Sequence, residues 1–157
     1  MTKGERQLTD LSEGLLRRVH KKPPRKYGPV LDQITGRLRA PTPAFEPRFP
    51  DPAKPDKIVD EALSVNVQSS LYAANLPMTW GANLERQYVV RVTVADCATQ
   101  GLEAWHKPIL PPEPENPHHG LIWGLVEMHG FDLLQYERAL DALARASTIV
   151  EDEVTGS

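Results

Sequence analysis

The chain has 157 residues, 40% hydrophobic and 25% charged, with a formal net charge of −3; this fits one globular domain, or a smaller domain carrying an arm. Its one cysteine, Cys97, excludes an intrachain disulfide, and no apolar run approaches the roughly 18 residues of a membrane span. MTKGERQLTD at the N-terminus has no apolar secretory core, so the expected compartment is the reducing cytoplasm.

Charge and proline are unevenly spread. Residues 1–40 hold ten Lys/Arg against four Asp/Glu, whereas residues 41–157 hold eight against seventeen. Nine prolines fall between Pro23 and Pro55, and five more between Pro108 and Pro117. The pattern predicts a basic, proline-rich arm over 1–56 with one or two short helices, a helical body over 57–150 and an acidic tail over 151–157.

Thr9 is positioned to cap a short helix whose apolar edge is Leu11, Leu15, Leu16 and Val19, ending in His20-Lys21-Lys22 before Pro23-Pro24. PVLDQITG, bracketed by Pro29 and Gly36, reads as a brief helical turn. Residues 40–55, with Pro41, Pro43, Pro47, Pro50, Pro52 and Pro55, forbid a helix and suggest an extended strap. In it Phe45 and Phe49 stand four apart as anchors, docking either on this chain's own core or on a partner.

Asp56 is a cap for a helix over about 57–75, with Ile58, Ala62, Val65, Ser69 and Tyr72 in line, ending at Pro77. Asn83 to Lys107 reads as a central helix. Leu84, Tyr88, Arg91, Ala95, Ala98, Leu102 and Trp105 recur at helical spacing beside a line of small residues through Cys97, Gly101 and Ala104. The same stretch also alternates, Tyr88, Val90, Val92 and Val94 against Val89, Arg91, Thr93 and Ala95, as a strand would. Asn116-Pro117 starts a segment that is apolar on nearly every side, a buried helix or a buried strand, in which Gly120 and Gly124 would let another helix approach. Asp132 caps a last helix with the stripe Leu133, Tyr136, Leu140 and Leu143 running to about Ile149, with Phe131 and Tyr136 placed for a hydrophobic staple. The expected fold is therefore mainly α, a small helical bundle with an extended arm. The alternative is α+β with strands near 65–73, 87–95 and 120–128.

Few residues suggest chemistry. Glu103 and His106 form one Glu-x-x-His pair, half of what a di-iron bundle needs, and an Glu103–Lys107 pair at i,i+4 explains it as well. His118, His119 and His129 have no metal-ligand spacing, no glycine-rich phosphate loop occurs, and Cys97 reads as an inert core thiol. No catalytic residue, metal site or cofactor is expected.

The functional expectation is a non-enzymatic subunit or adaptor of a larger protein assembly. Its partner-binding residues would be Arg17, Arg18, Lys21, Lys22, Arg25, Lys26, Phe45 and Phe49, in the basic, proline-rich arm. The first alternative is a nucleic-acid-binding accessory protein using the basic cluster 17–26, for which phosphate neutralisation needs only such a cluster. The second is a small metal-dependent enzyme with a helical site near Glu103 and His106. Another protein subunit is the expected partner, nucleic acid the alternative, and no membrane is expected.

Overall fold

A computed structural model describes residues 4–21, 27–49, 52–53, 60–113 and 115–150. The expected helical bundle is not what the chain forms. The described residues build a seven-stranded sheet and a two-stranded hairpin, antiparallel at every pairing, together with four short helices. The strands are β1 (Arg6–Gln7), β2 (Gly14–His20), β3 (Val30–Leu31), β4 (Leu38–Arg39), β5 (Leu63–Val67), β6 (Gln87–Thr93), β7 (Glu103–His106), β8 (His119–Trp123) and β9 (Thr148–Val150). The helices are α1 (Gln68–Ala73), α2 (Val94–Thr99), α3 (Leu125–Phe131) and α4 (Leu133–Ala146). The large sheet runs in the order β1-β7-β8-β5-β2-β6-β9, and β3 pairs with β4.

The stretch expected to be a central helix breaks into strand, helix and strand, and its own residues dictate the breaks. β6 holds the run Tyr88-Val89-Val90-Arg91-Val92, whose branched side chains pack on both faces of a pleated sheet. At Thr93 the chain turns into α2 through a capping box: the Thr93 hydroxyl accepts from the Asp96 amide, and the Asp96 carboxylate accepts from the Thr93 amide. Gly101, at φ 76, then ends the helix. The Leu102 amide reaches the Cys97 carbonyl at 2.9 Å and the Gly101 amide reaches Ala98 at 3.0 Å, a Schellman closure that aims Leu102 into the core.

The helix expected over 57–75 is β5 followed by α1. Asn75, at φ 57, closes α1 with the same pair of reversed bonds, Leu76 N–H to Leu71 and Asn75 N–H to Tyr72. The Asp56 cap lies outside the described residues. The segment after Pro117 is β8 followed by α3, so Gly120 and Gly124 do not seat a second helix. Gly120 lies where a Cβ would come 2.7 Å from the Trp105 carbonyl oxygen on β7, and Gly124, at φ 128, makes the turn from β8 into α3. The last helix forms as α4, with the Asp132 carboxylate accepting from the Gln135 amide, but it stops at Ala146 and leads into β9. The staple is absent: Phe131 is 95% exposed, whereas Tyr136 is buried.

The short helix expected from Thr9 is strand β2, at the heart of the sheet. All seven of its residues pair with β6, from Gly14↔Thr93 to His20↔Gln87. The segment read as an arm thus supplies a central strand. It also supplies the strap: Thr42–Phe45 make a 3-10 turn against α4, with Phe45 fully buried. Arg39, Asp32 and Ser147 anchor the strap's entry. Asp32 accepts from the amides of Ile34 and Thr35 and from Arg39, and the Ala40 amide donates to the Ser147 hydroxyl at 3.1 Å.

The two faces of the sheet differ. One carries Leu15, Val19, Val65, Val67, Val90, Val92, Ala104 and Ile122 into the main core beneath α2, α4 and the strap. On the other face α1 and the loop after it cover Leu16 and Val89 with Leu71, Leu76, Met78 and Trp80. The remainder of that second face stays open around Arg18, Ser64 and His119, and it is there that polar side chains gather.

Candidate functional site

β2 and β5 are neighbours whose ladder holds for only two residue pairs, Leu15↔Val67 and Leu16↔Asn66. Beyond Leu16 a cleft of about 420 Å³ is lined by Arg17 and His20 on β2, Ser64 on β5 and Gln87 on β6, with Arg18, Arg48 and Asp60 completing it. Arg17 bridges the two strands from within: its Nε donates to the Ala44 carbonyl at 3.0 Å and its Nη1 to the Ser64 carbonyl at 3.1 Å. Arg18 points to the opposite face and donates through Nη1 to the Gly81 carbonyl at 2.8 Å. That single anchor orients the guanidinium and leaves its other fork positions to a ligand.

Arg48 and Asp60 form a forked pair, with Nη2 to Oδ1 at 2.8 Å and Nε to Oδ2 at 3.1 Å, and the Arg48 amide also donates to Asp60 Oδ2 at 2.7 Å. Burial opposes ionisation of Asp60, but these bonds and the Arg48 charge outweigh it and hold the carboxyl below its ordinary range. Arg48 is thereby largely neutralised, and Arg18 and Lys21 supply positive character at this end of β2.

Alongside lies a second constellation. Ser64 and His119 project from the same face of the β5–β8 pair, diagonal across the register Asn66↔His119. His119 Nε2 is 3.2 Å from Ser64 Oγ, and its Nδ1 is 2.8 Å from the Lys107 carbonyl oxygen. A carbonyl only accepts, so Nδ1 carries the proton, and in the neutral ring Nε2 accepts from the serine hydroxyl. Burial, together with the charges of Lys107, Arg18 and His106, pulls His119 below its ordinary value despite the Lys107 carbonyl bond.

The expected partner residues are only partly brought together. Arg17, Arg18 and the exposed Lys21 share the end of β2, whereas Lys22, Arg25 and Lys26 lie outside the described residues. Phe45 and Phe49 dock on this chain's own body. Phe45 is buried beneath α4, and Phe49 stacks on His129 with ring centroids 4.1 Å apart and meets Tyr136 edge-on at 5.9 Å. Glu103 and His106 are three apart on a strand and so point to opposite faces. Glu103 accepts from the Trp105 indole, and His106 Nε2 lies 2.8 Å from the Pro117 carbonyl oxygen. The shared helix face of the metal reading does not exist. Among the described residues no group of three or more His, Cys, Asp or Glu is arranged to hold a metal ion, and no helix is long and apolar enough to cross a membrane.

His118, adjacent to His119 in sequence, is a different kind of residue: buried, with Nδ1 2.7 Å from Ser70 Oγ and its ring edge-on to Trp80. Cys97 is fully buried, and burial followed by the nearby Asp96 charge pushes its thiol up to about 12. Sequence reasoning misses Ser64, Arg48, Asp60 and Gln87, and weighs His119 only as a metal ligand. Alternation in LSVNV and HGLIW was the available signal, since it sets Ser64 with Asn66 and His119 with Leu121 on common faces once both are strands. No family model, curated protein or solved structure matches the chain.

Proposed function

We propose that the chain is a binding subunit of a protein assembly, and that the basic end of β2 receives an acidic segment of its partner. The observation that carries this reading is the cleft between β2 and β5, where Arg18, His20, Ser64 and Gln87 present polar groups around a space of about 420 Å³. Arg18 is held by Gly81, so a carboxylate arriving there meets a pre-oriented fork and loses less in ordering it. A second feature supports the assembly role: the β3–β4 hairpin leaves Leu31, Ile34 and Leu38 more than half exposed, apolar surface suited to burial against another chain. Nucleic acid fits less well. No Phe, Tyr or Trp side chain lines the cleft for base stacking.

The test is a titration of the full chain with a fluorescent oligoglutamate peptide and, separately, a labelled DNA oligonucleotide, at low and physiological salt. Peptide binding that falls at least tenfold in an R18E/K21E variant, and weakens as salt rises, supports the reading. Equal peptide binding by the variant and the parent chain removes the cleft from it. Tight DNA binding with a steep salt slope and no peptide binding replaces it with the nucleic-acid reading.

A further inference from the structure

The Ser64–His119 pair goes beyond binding. We propose that Ser64 is a nucleophile activated by His119, and that the pair cleaves small carboxylic esters with a short apolar acyl group. Nucleophilic catalysis by serine needs a base within hydrogen-bond reach, a third group that fixes the base's tautomer, and room for a substrate carbonyl. All three are present. His119 Nε2 stands 3.2 Å from Ser64 Oγ, and Nδ1, 2.8 Å from the Lys107 carbonyl oxygen, donates to it, which fixes the ring with its bare nitrogen toward the hydroxyl. Both residues lie on paired strands, so their geometry is set by the β5–β8 ladder and not by a loop.

The surroundings are shaped for an ester. Ser64 is exposed and opens on two sides. Toward β7 and its following loop lies a cavity of about 550 Å³ whose walls include Ala62, Pro108, Ile109, Leu110 and Leu121, a place for an acyl chain. Toward β2, Arg18 lines one small depression together with Ser64, Asn66 and His119, which puts a fixed positive charge beside the carbon under attack. The charged and titratable groups around His119 are Lys107, Arg18 and His106, with Asp60, Glu61 and Glu113 on the cavity wall. Burial, with the Lys107 and Arg18 charges, favours the neutral imidazole from which a base starts, against the opposing pull of the Lys107 carbonyl bond.

The steps balance. Ser64 Oγ bonds to the ester carbonyl carbon as His119 Nε2 takes its proton, and the oxyanion forms beside Arg18. The carbon–oxygen bond to the alcohol then breaks, and His119 returns the proton to the departing oxygen. Water then attacks the acyl carbon as His119 Nε2 takes its proton; the bond from that carbon to Ser64 Oγ breaks, His119 gives the proton back to Oγ, and the carboxylic acid leaves.

The experiment treats the intact chain with a fluorophosphonate probe, maps the adduct by mass spectrometry, and follows p-nitrophenyl butyrate hydrolysis on the same preparations. The expected results are an adduct on the peptide containing Ser64 and turnover abolished by S64A. H119Q, with an unchanged circular dichroism spectrum, should react about a hundredfold more slowly. Turnover should hold steady around neutral pH and fall only as pH drops through a value below the ordinary histidine range. L110A should raise KM for the butyrate ester and leave the acetate ester unaffected. Absence of a Ser64 adduct, equal turnover in S64A, or wild-type labelling of folded H119Q would each overturn the proposal, leaving Ser64 as a hydroxyl that merely satisfies His119. These readouts do not depend on oligoglutamate binding, so this assignment and the binding reading stand or fall separately.

Discussion

Replacing Phe45 by Ala tests whether the proline-rich strap is part of the folded body. Phe45 is fully buried in the Thr42–Phe45 turn, beneath α4 and in the main core with Leu140, Leu143 and Ala144. The backbone is tied on both sides of Phe45, by Ala40 to Ser147 and by Arg48 to Asp60, which resists collapse into the space a truncated ring leaves. A Phe→Ala change at such a site costs about 3–5 kcal/mol, the lost transfer energy plus the unrelieved cavity. For a chain of this length each kcal/mol moves Tm by about 2–4 °C, so the variant should melt roughly 6–20 °C below the parent. Phe49→Ala removes a half-buried ring whose contacts with His129 and Tyr136 contribute about 0.5–1.5 kcal/mol beyond area, and it should shift Tm less. Thermal unfolding followed by circular dichroism separates the two. A Phe45→Ala variant that melts with the parent while losing oligoglutamate binding would refute the packing argument and make Phe45 an outward-facing anchor.

Deleting residues 1–21 removes β2 from between β5 and β6, so the truncated chain should lose its cooperative unfolding transition; a sharp transition in the fragment would show that the sheet closes without it. Gly120→Ala places a Cβ 2.7 Å from the Trp105 carbonyl oxygen and 3.0 Å from Val67 Cγ2, and should cost about 1–3 kcal/mol in a urea titration, with no change expected only if β7 and β8 part freely. Asp32 accepts from the Thr35 and Ile34 amides and from Arg39, which lower its carboxyl to about 2 from an ordinary 3.8. Its charge therefore stabilises the fold above the ordinary value, and this contribution is lost as pH falls through the folded one. The Tm gap between the parent chain and Asp32→Asn should stay constant from pH 7 to about 5 and close between about 4 and 2; a gap independent of pH would show that the carboxylate's charge is not what matters.

Local punctuation was legible in the sequence, and long-range pairing was not. Asp132 as a cap and the stripe through Tyr136, Leu140 and Leu143 announced α4, because amphipathic spacing and capping act within one element. The same kinds of signal were present at Thr93-Val-Ala-Asp96 and Gly101, yet a continuous 3.6-residue rhythm from Leu84 to Trp105 ran across them and concealed two boundaries. In β2, the apolar positions 15, 16 and 19 satisfy either periodicity, and the decision belongs to seven partners on β6 more than 65 positions away. The site was hidden for the same reason. Ser64, His119 and Arg18 lie on three strands, and only the sheet order makes them neighbours. What the sequence did show was the basic run ending β2, since a charge cluster needs no partner to be seen.

The order of the strands also governs when the protein can begin to exist during synthesis. β1 pairs Arg6 with His106, β2 waits for residues 63–67 and 87–93, and β9 closes the sheet against β6 at the far end of the described chain. β2 therefore has no strand partner until residues 66 and 67 are made, and its full ladder waits for residues 87–93. The Ala40 amide finds Ser147 only after that residue has been made. Such non-local closure makes folding slow and leaves early strand edges open to the wrong neighbour. Arg17 and Arg18 sit on β2 and Lys21 directly follows it, where like charges on nascent chains repel and discourage premature strand-to-strand pairing.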